Sequence, residues 1–306
     1  MAVTIQKLIE DFDLEVLVEG DTSVEITIND ITRPGLQLAG FYNYFNSERI
    51  QLIGKAELSF LDDMQVEVRK KRLKKYFSFD MQCIIIARGL EPPKELIDAA
   101  RKKNTLVLRS NLVTTKLITK LTMYLSSKLA PETRLHGVLV DVYGVGILIT
   151  GESGIGKSEA TLELIKRGHR LITDDAVDIK EIDRQLIGKS PKITLGMIEV
   201  RGIGIIDVSA LYGLSSVVEE KEIDLVIHFE NWQDDAEYDR LGTDREYEEI
   251  LGVKVRKLRM PIRPGRNIAV LIEAAAANYR YSLMSDISPV DVIEQRIDAQ
   301  AKGMDL

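Results

Sequence analysis

Residues Gly151, Glu152, Ser153, Gly154, Ile155, Gly156, Lys157 and Ser158 spell Gly-x-x-x-x-Gly-Lys-Ser, and they stand directly after the apolar run Val145-Gly146-Ile147-Leu148-Ile149-Thr150. Buried strand, glycine-rich turn and helix start form the order in which successive backbone N–H groups converge on the phosphates of a nucleotide. Lys157 is spaced to reach the outer phosphates as a point charge, and the Ser158 hydroxyl to ligate the Mg²⁺ that accompanies them. One helix further on, Leu171-Ile172-Thr173 runs into Asp174 and Asp175. A carboxylate pair beside a metal-bound nucleotide is suited to take a proton from an attacking hydroxyl. Successive strand residues point to opposite faces, so the two are expected to do different jobs.

Other residues add to this set with weaker signals. His136 opens an apolar run that leads toward the loop, where a lone histidine is more often structural than functional. Glu199, Val200, Arg201, Gly202, Ile203, Gly204, Ile205, Ile206, Asp207 and Val208 form a glycine-containing apolar stretch. It lacks the third glycine of a dinucleotide fingerprint. It reads instead as backbone in close approach to the site, with Glu199 available to a metal and Arg201 to an anion. Arg240 lies in the charged segment Asp235 to Glu249, which reads as a mobile loop able to close an arginine over a phosphoryl group. Pro261, Ile262, Arg263, Pro264, Gly265, Arg266 and Asn267 place two guanidinium groups on a rigid turn before an alanine-rich helix, a pre-organised anion contact.

The elements that must hold these residues fall into two α/β domains, 1–130 and 131–306. In the first, Thr4 to Asp11 and Pro93 to Lys103 read as helices, and Glu25 to Ile28 and Ile50 to Ile53 as strands. A further helix runs from Leu112 to about Ser127, and Leu129 to Thr133 has the proline and polar content of a linker. In the second, His136 to Val142 reads as one strand, Tyr143 to Gly146 as a turn with positive φ, and Gly146 to Thr150 as the returning strand. A hairpin therefore feeds the phosphate loop. The loop helix is expected to end at Gly168, with Arg170 to Thr173 as the next strand. Ser288 is placed to cap a final helix whose Val290, Ile293 and Ile297 share one face, for packing on its own domain or for docking a partner.

Composition narrows the class. With 306 residues, 45% hydrophobic and 29% charged, the chain has the make-up of a water-soluble globular protein. No apolar stretch reaches membrane-span length and the first twenty residues carry acids and Lys7, so a cytoplasmic location is expected. A net charge of −7 argues against nucleic acid as partner. The basic run Arg69 to Lys75 reads as a solvated helix face. The single cysteine, Cys83, lies within an apolar strand-like run and reads as core.

Taken together, His136, the Gly151–Ser158 loop, Asp174 with Asp175, the Glu199–Val208 stretch and Pro261 to Asn267 closely resemble the HPr kinase/phosphorylase family. The match spans the C-terminal half in order and spacing, and the first half is compatible with that family's first domain. The resemblance implies an enzyme that uses ATP or pyrophosphate to phosphorylate a serine of the phosphocarrier HPr. It also implies the reverse reaction, in which inorganic phosphate removes the group as pyrophosphate. It further implies a part in carbon catabolite repression, a homohexamer, a response to fructose 1,6-bisphosphate, and a catalytic fold similar to phosphoenolpyruvate carboxykinase. Carried over by position, Lys157 binds phosphate, Ser158 and Glu199 hold Mg²⁺, and His136 and Arg240 assist transfer. Asp174 or Asp175 then moves the serine proton, with Asp174 preferred. The Pro261–Arg266 segment serves phosphorolysis. A small-molecule kinase or carboxykinase-like enzyme shares the loop and the acid pair, and a nucleotide switch shares the loop alone. No Asn-Lys-x-Asp, Asp-Phe-Gly or His-Arg-Asp sequence occurs.

Overall fold

The computed structural model describes residues 3–233, 246–263, 265–285 and 289–301. The chain divides into two compact units, Met1–Ala130 and Pro131–Leu306. In the first, five strands lie in the order β1-β5-β4-β3-β2: β1 (Glu15–Val18), β2 (Ile31–Thr32), β3 (Ile50–Ile53), β4 (Ile84–Ile86) and β5 (Val107–Arg109). Strands β2 to β5 are parallel and β1 closes the edge antiparallel. Helix α1 (Ile5–Phe12), capped by the Thr4 side chain, and α5 (Thr114–Leu129) cover one face through Leu8, Leu117, Leu121 and Leu125. Helices α2 (Lys55–Asp62), α3 (Val66–Tyr76) and α4 (Lys94–Lys103) cover the other. With both faces covered, the central strand β4 is apolar throughout, Ile84-Ile85-Ile86. Cys83 is fully buried there, and burial pushes its thiol up to about 12, which removes it as a nucleophile. The basic run lies on α3, where Arg69 pairs with Glu95 and Lys70 with Glu67.

The second unit has three layers. Its central sheet runs β9-β7-β8-β15-β17-β16: β7 (Val138–Val142), β8 (Val145–Gly151), β9 (Arg170–Thr173), β15 (Leu225–Asn231), β16 (Glu246–Ile250) and β17 (Val253–Ile262). A four-stranded sheet, β14-β11-β10-β6, packs on one side: β6 (Glu132–His136), β10 (Ala176–Ile182), β11 (Gln185–Lys189) and β14 (Glu220–Glu222). Between the sheets lie Leu139, Leu148, Ile172, Val177, Ile179 and Val226. On the far side, α6 (Lys157–Lys166) and α7 (Ile268–Met284) press Leu164, Ile165, Ala269, Ile272 and Ala276 onto Ile147, Ile149, Ile227 and Phe229. A separate hairpin, β12 (Met197–Val200) with β13 (Gly204–Asp207), joins the same core through Ile198 and Val200. Among the described residues, no helix is long and apolar enough to cross a membrane.

Several sequence expectations change. The run His136 to Val142 is two strands in two sheets, broken at Gly137, a position where an added Cβ would lie 2.7 Å from the Ile149 carbonyl oxygen. The expected linker is partly strand, since Glu132 and Thr133 belong to β6. The hairpin turn is only Tyr143 (φ +54) and Gly144 (φ +86), which join Val142 directly to its partner Val145. Gly146 is not a turn residue but a strand residue beneath the Glu222 carbonyl, 1.7 Å from where its Cβ would be. Glu246 to Glu249, expected in a mobile loop, form an edge strand whose Glu246 and Glu248 pair with Arg259 and Lys257. Ser288 lies outside the described residues. The final helix α8 (Pro289–Ala301) forms, but Ile293 and Ile297 stay exposed instead of packing on their own domain.

Gly146→Ala is expected to destabilise the protein by about 1–3 kcal/mol or more, since the new methyl meets backbone in the neighbouring sheet. Gly144→Ala meets nothing within 4 Å. It carries only the left-handed strain, about 1 kcal/mol. Thermal unfolding midpoints compare them, and equal losses at the two sites would count against the close-approach argument.

Candidate active site

The phosphate loop leaves β8 at the carboxyl end of the central sheet and turns directly into α6. Gly156 (φ +103) occupies the cap position, which a side-chain-bearing residue adopts only with strain, and no side chain caps the helix. The first N–H groups of α6 therefore face the loop without an internal partner, the arrangement that attracts anions. Lys157 is buried, and its ammonium donates to the Gly151 and Glu152 carbonyls, each at 2.9 Å. At its other end α6 stops as expected at Gly168: the N–H of His169 bonds to the Leu164 carbonyl and that of Gly168 to the Ile165 carbonyl.

Ser158 begins the link to the acid pair. Its hydroxyl donates to Asp174 Oδ1 (3.0 Å) and lies 3.2 Å from Oδ2. Asp174 Oδ2 also accepts the Glu199 backbone N–H at 2.9 Å, so one carboxylate joins the loop helix to hairpin β12–β13. Asp174 is only 6% exposed, and that burial pushes its carboxyl above the ordinary aspartate range. The two hydrogen bonds pull in the opposite direction and neighbouring Asp175 adds to the upward push. Asp175 differs in every respect: it is exposed, has φ +70, and pairs with His136 Nδ1 at 3.0 Å. The two carboxylates thus have different surroundings, and a corner between sheets rather than strand alternation separates them.

The chain crosses between sheets at that corner. Strand β9 belongs to the central sheet and β10 to the outer one, and Asp174 with Asp175 fill the gap. Gly137 makes the matching crossover from β6 to β7, and its N–H donates to the Asp175 carbonyl at 3.0 Å. His136 lies opposite Ala176 in the register, which brings its ring to Asp175.

Hairpin β12–β13 lies against the loop. A Cβ on Gly154 would lie 3.0 Å from both terminal nitrogens of Arg201. The Glu199 carboxylate is exposed, whereas its neighbours Ile198 and Val200 are buried. Strands β15 and β17 run parallel to β8, so their carboxyl ends lie at the loop's end of the sheet. There Asn231 donates to Glu152 (3.3 Å), Arg263 sits 5.6 Å from the Trp232 ring centre, and Arg266 reaches the Pro261 carbonyl at 3.5 Å. Asn267 caps α7 through the Val270 N–H. Asn231 and Trp232 were not expected from sequence, because only the parallel pairing of β15 with β8 brings them to the loop. Arg240 and Pro264 lie outside the described residues.

Oxygen ligands for a hard cation meet here in Ser158 Oγ and the Asp174 carboxylate, 3.0 Å apart, and the Glu199 backbone N–H fixes the hairpin that carries the Glu199 carboxylate to the same Asp174. Among the described residues no three His, Cys, Asp or Glu side chains form a closed metal cage. Few protein ligands completed by phosphate oxygens and water is the mode that suits Mg²⁺, so the residues fit that ion.

Comparison with known proteins follows the same division. Residues 3–125 match the family model described as HPr Serine kinase N terminus, and residues 127–297 the HPr Serine kinase C-terminal domain. The HPr kinase/phosphorylase of Clostridium botulinum is 73% identical over 98% of both chains, and that of Clostridium acetobutylicum 64% over 97% of this chain and 98% of the relative. Among solved structures, the Hpr(Ser) kinase/phosphatase of Coxiella burnetii is 42% identical and matches with a TM-score of 0.48, covering 50% of this chain and 93% of that one.

The raised Asp174 pKa sets a pH test. An acid whose folded pKa is raised favours the fold most below its unfolded pKa, and that contribution is lost as pH rises through the folded value. Asp174→Asn removes the penalty, so the variant's melting temperature relative to the parent should climb as pH rises above the ordinary aspartate pKa of about 4. A difference that is flat, or that falls, across this range would contradict burial as the dominant cause.

Proposed function

The chain belongs to the HPr kinase/phosphorylase family, and on that premise we propose that it phosphorylates a serine of HPr and reverses the reaction by phosphorolysis. The observation that carries the reading is the Asp174 carboxylate in hydrogen-bond contact with Ser158, the last residue of the phosphate loop. A nucleotide's phosphates lie along the uncapped start of α6, and Lys157 exchanges the two carbonyls for phosphate oxygens, a stronger charge-assisted contact. Ser158 and Glu199 would hold Mg²⁺, which would supply charge neutralisation for the transferring group.

The serine hydroxyl of HPr approaches the carboxylate corner. Its oxygen bonds to the terminal phosphorus as the bond to the leaving diphosphate breaks, and its proton passes to Asp174. Desolvation suits Asp174 to this, since a raised pKa makes it a better base than an exposed aspartate and lets it return the proton in reverse. His136 orients Asp175 through their contact, and Arg240 assists transfer. In phosphorolysis, inorganic phosphate held by the Pro261–Arg266 segment attacks the phosphoserine phosphorus, pyrophosphate forms, and the serine oxygen recovers its proton from the same acid. Pyrophosphate serves as donor in place of ATP because the loop and Lys157 contact phosphate alone. We place this activity in the cytoplasm, in a homohexamer responsive to fructose 1,6-bisphosphate, within carbon catabolite repression. Exposed Ile203, Ile205 and Leu214 supply apolar surface of the kind subunit contacts cover.

Incubation of the full chain with Mg²⁺, labelled ATP and either HPr or candidate metabolites should label HPr on serine. Label confined to a metabolite would end the proposal. Asp174→Asn should lower both directions by about 10²-fold or more while nucleotide still binds. Parallel assays of Asp175→Asn assign the pair, and full activity in Asp174→Asn would move the proton role elsewhere. Arg266→Ala should weaken phosphorolysis more than phosphorylation, through the Michaelis constant for phosphate; equal losses would remove the segment's special part.

A further inference from the structure

A cavity of about 400 Å³ opens at the end of the central sheet remote from the phosphate loop. Asp224, which directly precedes β15, and Val253 to Arg256, the first residues of β17, form part of its wall. Both strands run parallel to β8, so the seven residues of β15 separate this cavity from the loop's end of the sheet by about 20 Å. The turn between β10 and β11 closes one side with Arg184, and the last turns of α7 close another with Tyr279. Its volume falls within the roughly 300–1,000 Å³ of small-molecule sites.

The lining carries both signs of charge. Arg184, Lys254 and Arg256 supply three cations, and Glu222 and Asp224 two carboxylates. All five line one space, yet among the described residues no ion pair joins the cations to the acids. Burial pushes both carboxyls above their ordinary range, and Asp224 adds to the push on Glu222. Tyr279 lies within reach of both groups: burial raises its phenol, Asp224 and Glu222 raise it further, and Arg256 opposes them. The Arg256 Nε is buried without a hydrogen-bond partner, so no interior contact offsets the cost of holding that guanidinium in the wall. Opposite charges kept apart across one cavity suit a ligand that itself carries both. The acids call for an ammonium, and a guanidinium for a carboxylate gripped by two parallel hydrogen bonds. Three cations against two acids leave one positive charge in excess, which asks for a ligand with one net negative charge. A phosphate ester would leave both acids unpaired. An acidic amino acid has one ammonium and two carboxylates, and its short stem matches the buried apolar Ile223 and Val255 of the same lining.

We propose that this cavity is a binding site for a free acidic α-amino acid, L-glutamate or L-aspartate, with the ammonium on Glu222 and Asp224 and the α-carboxylate on Arg256. Arg184 and Lys254, both exposed, take the side-chain carboxylate at the mouth. None of these residues belongs to the phosphate loop or to the acid pair at Asp174 and Asp175, so the ligand and a nucleotide bind together.

The test is equilibrium dialysis of labelled L-glutamate and L-aspartate against the full chain, with and without saturating Mg²⁺-ATP. At least one of the two should bind at a single site per chain with a dissociation constant of about 1 mM or tighter, whether or not ATP is present. Glutarate, which lacks the ammonium, and inorganic phosphate should each compete at least about tenfold more weakly. Glu222→Gln and Arg256→Gln should each weaken binding by about tenfold or more, with thermal unfolding showing that the variant folds. The double variant Arg184→Ala with Lys254→Ala changes exposed positions only, and it should lose about tenfold even where an interior variant does not fold. No binding as tight as about 1 mM, competition by glutarate or phosphate at matched affinity, loss of binding when ATP is added, or unchanged affinity in the folded variants would each overturn the proposal.

Discussion

A single buried carboxylate ties this site together. Asp174 accepts from the Ser158 hydroxyl at the start of the loop helix and from the Glu199 backbone at the start of the hairpin, while its own backbone lies at the corner between two sheets. Three segments distant in sequence are fixed to one another through two oxygens. The arrangement is costly, because a carboxylate at 6% exposure loses most of its hydration and no lysine or arginine among the described residues pairs with it. An asparagine would make comparable hydrogen bonds without the charge. A position that keeps an ionisable group against that penalty suits the proton transfer proposed for Asp174.

The corner exists because two successive crossovers occur side by side. Gly137 carries the chain from the outer sheet to the central one, Asp174 and Asp175 carry it back, and the Gly137 N–H closes on the Asp175 carbonyl. The positive φ of Asp175 turns its side chain out to His136, while Asp174 stays inside on Ser158. Two adjacent residues of the same type thus acquire opposite environments from one backbone irregularity. Strained residues of this kind persist where surrounding pairing over-determines them, and here six strands on one side and four on the other do so.

What the sequence disclosed, and what it hid, follows from the range of the forces involved. The phosphate loop, the Tyr143-Gly144 turn and the helix stop at Gly168 are set by neighbours within a few residues, so residue type and spacing are enough. The break at Gly137 was hidden because the apolar run from Val138 follows it directly, and the contacts it makes with Ile149 and Asp175 lie far along the chain. Gly146 looked like turn chemistry, but its constraint is Glu222 in another sheet, far along the chain. Glu246 to Ile250 read as loop because an edge strand carries charges, and Arg259 and Lys257 on the next strand are what those charges face. For α8 the apolar face was legible, yet Ile293 and Ile297 are exposed, since periodicity says that a face exists and not what covers it.

The loop also limits what kind of donor the site can distinguish. Its recognition groups are backbone N–H groups at a helix start, one ammonium and one hydroxyl, and all of them address oxygens on phosphorus. Lys157 is held in advance by two carbonyls at 2.9 Å, so binding exchanges neutral acceptors for charged ones without ordering a free side chain. Affinity built this way is affinity for a phosphate chain, largely indifferent to what the chain is attached to. A site that need not read a base suits the short inorganic donor proposed above. Selectivity must then come from the acceptor, through the geometry that presents one hydroxyl to Asp174 and no other.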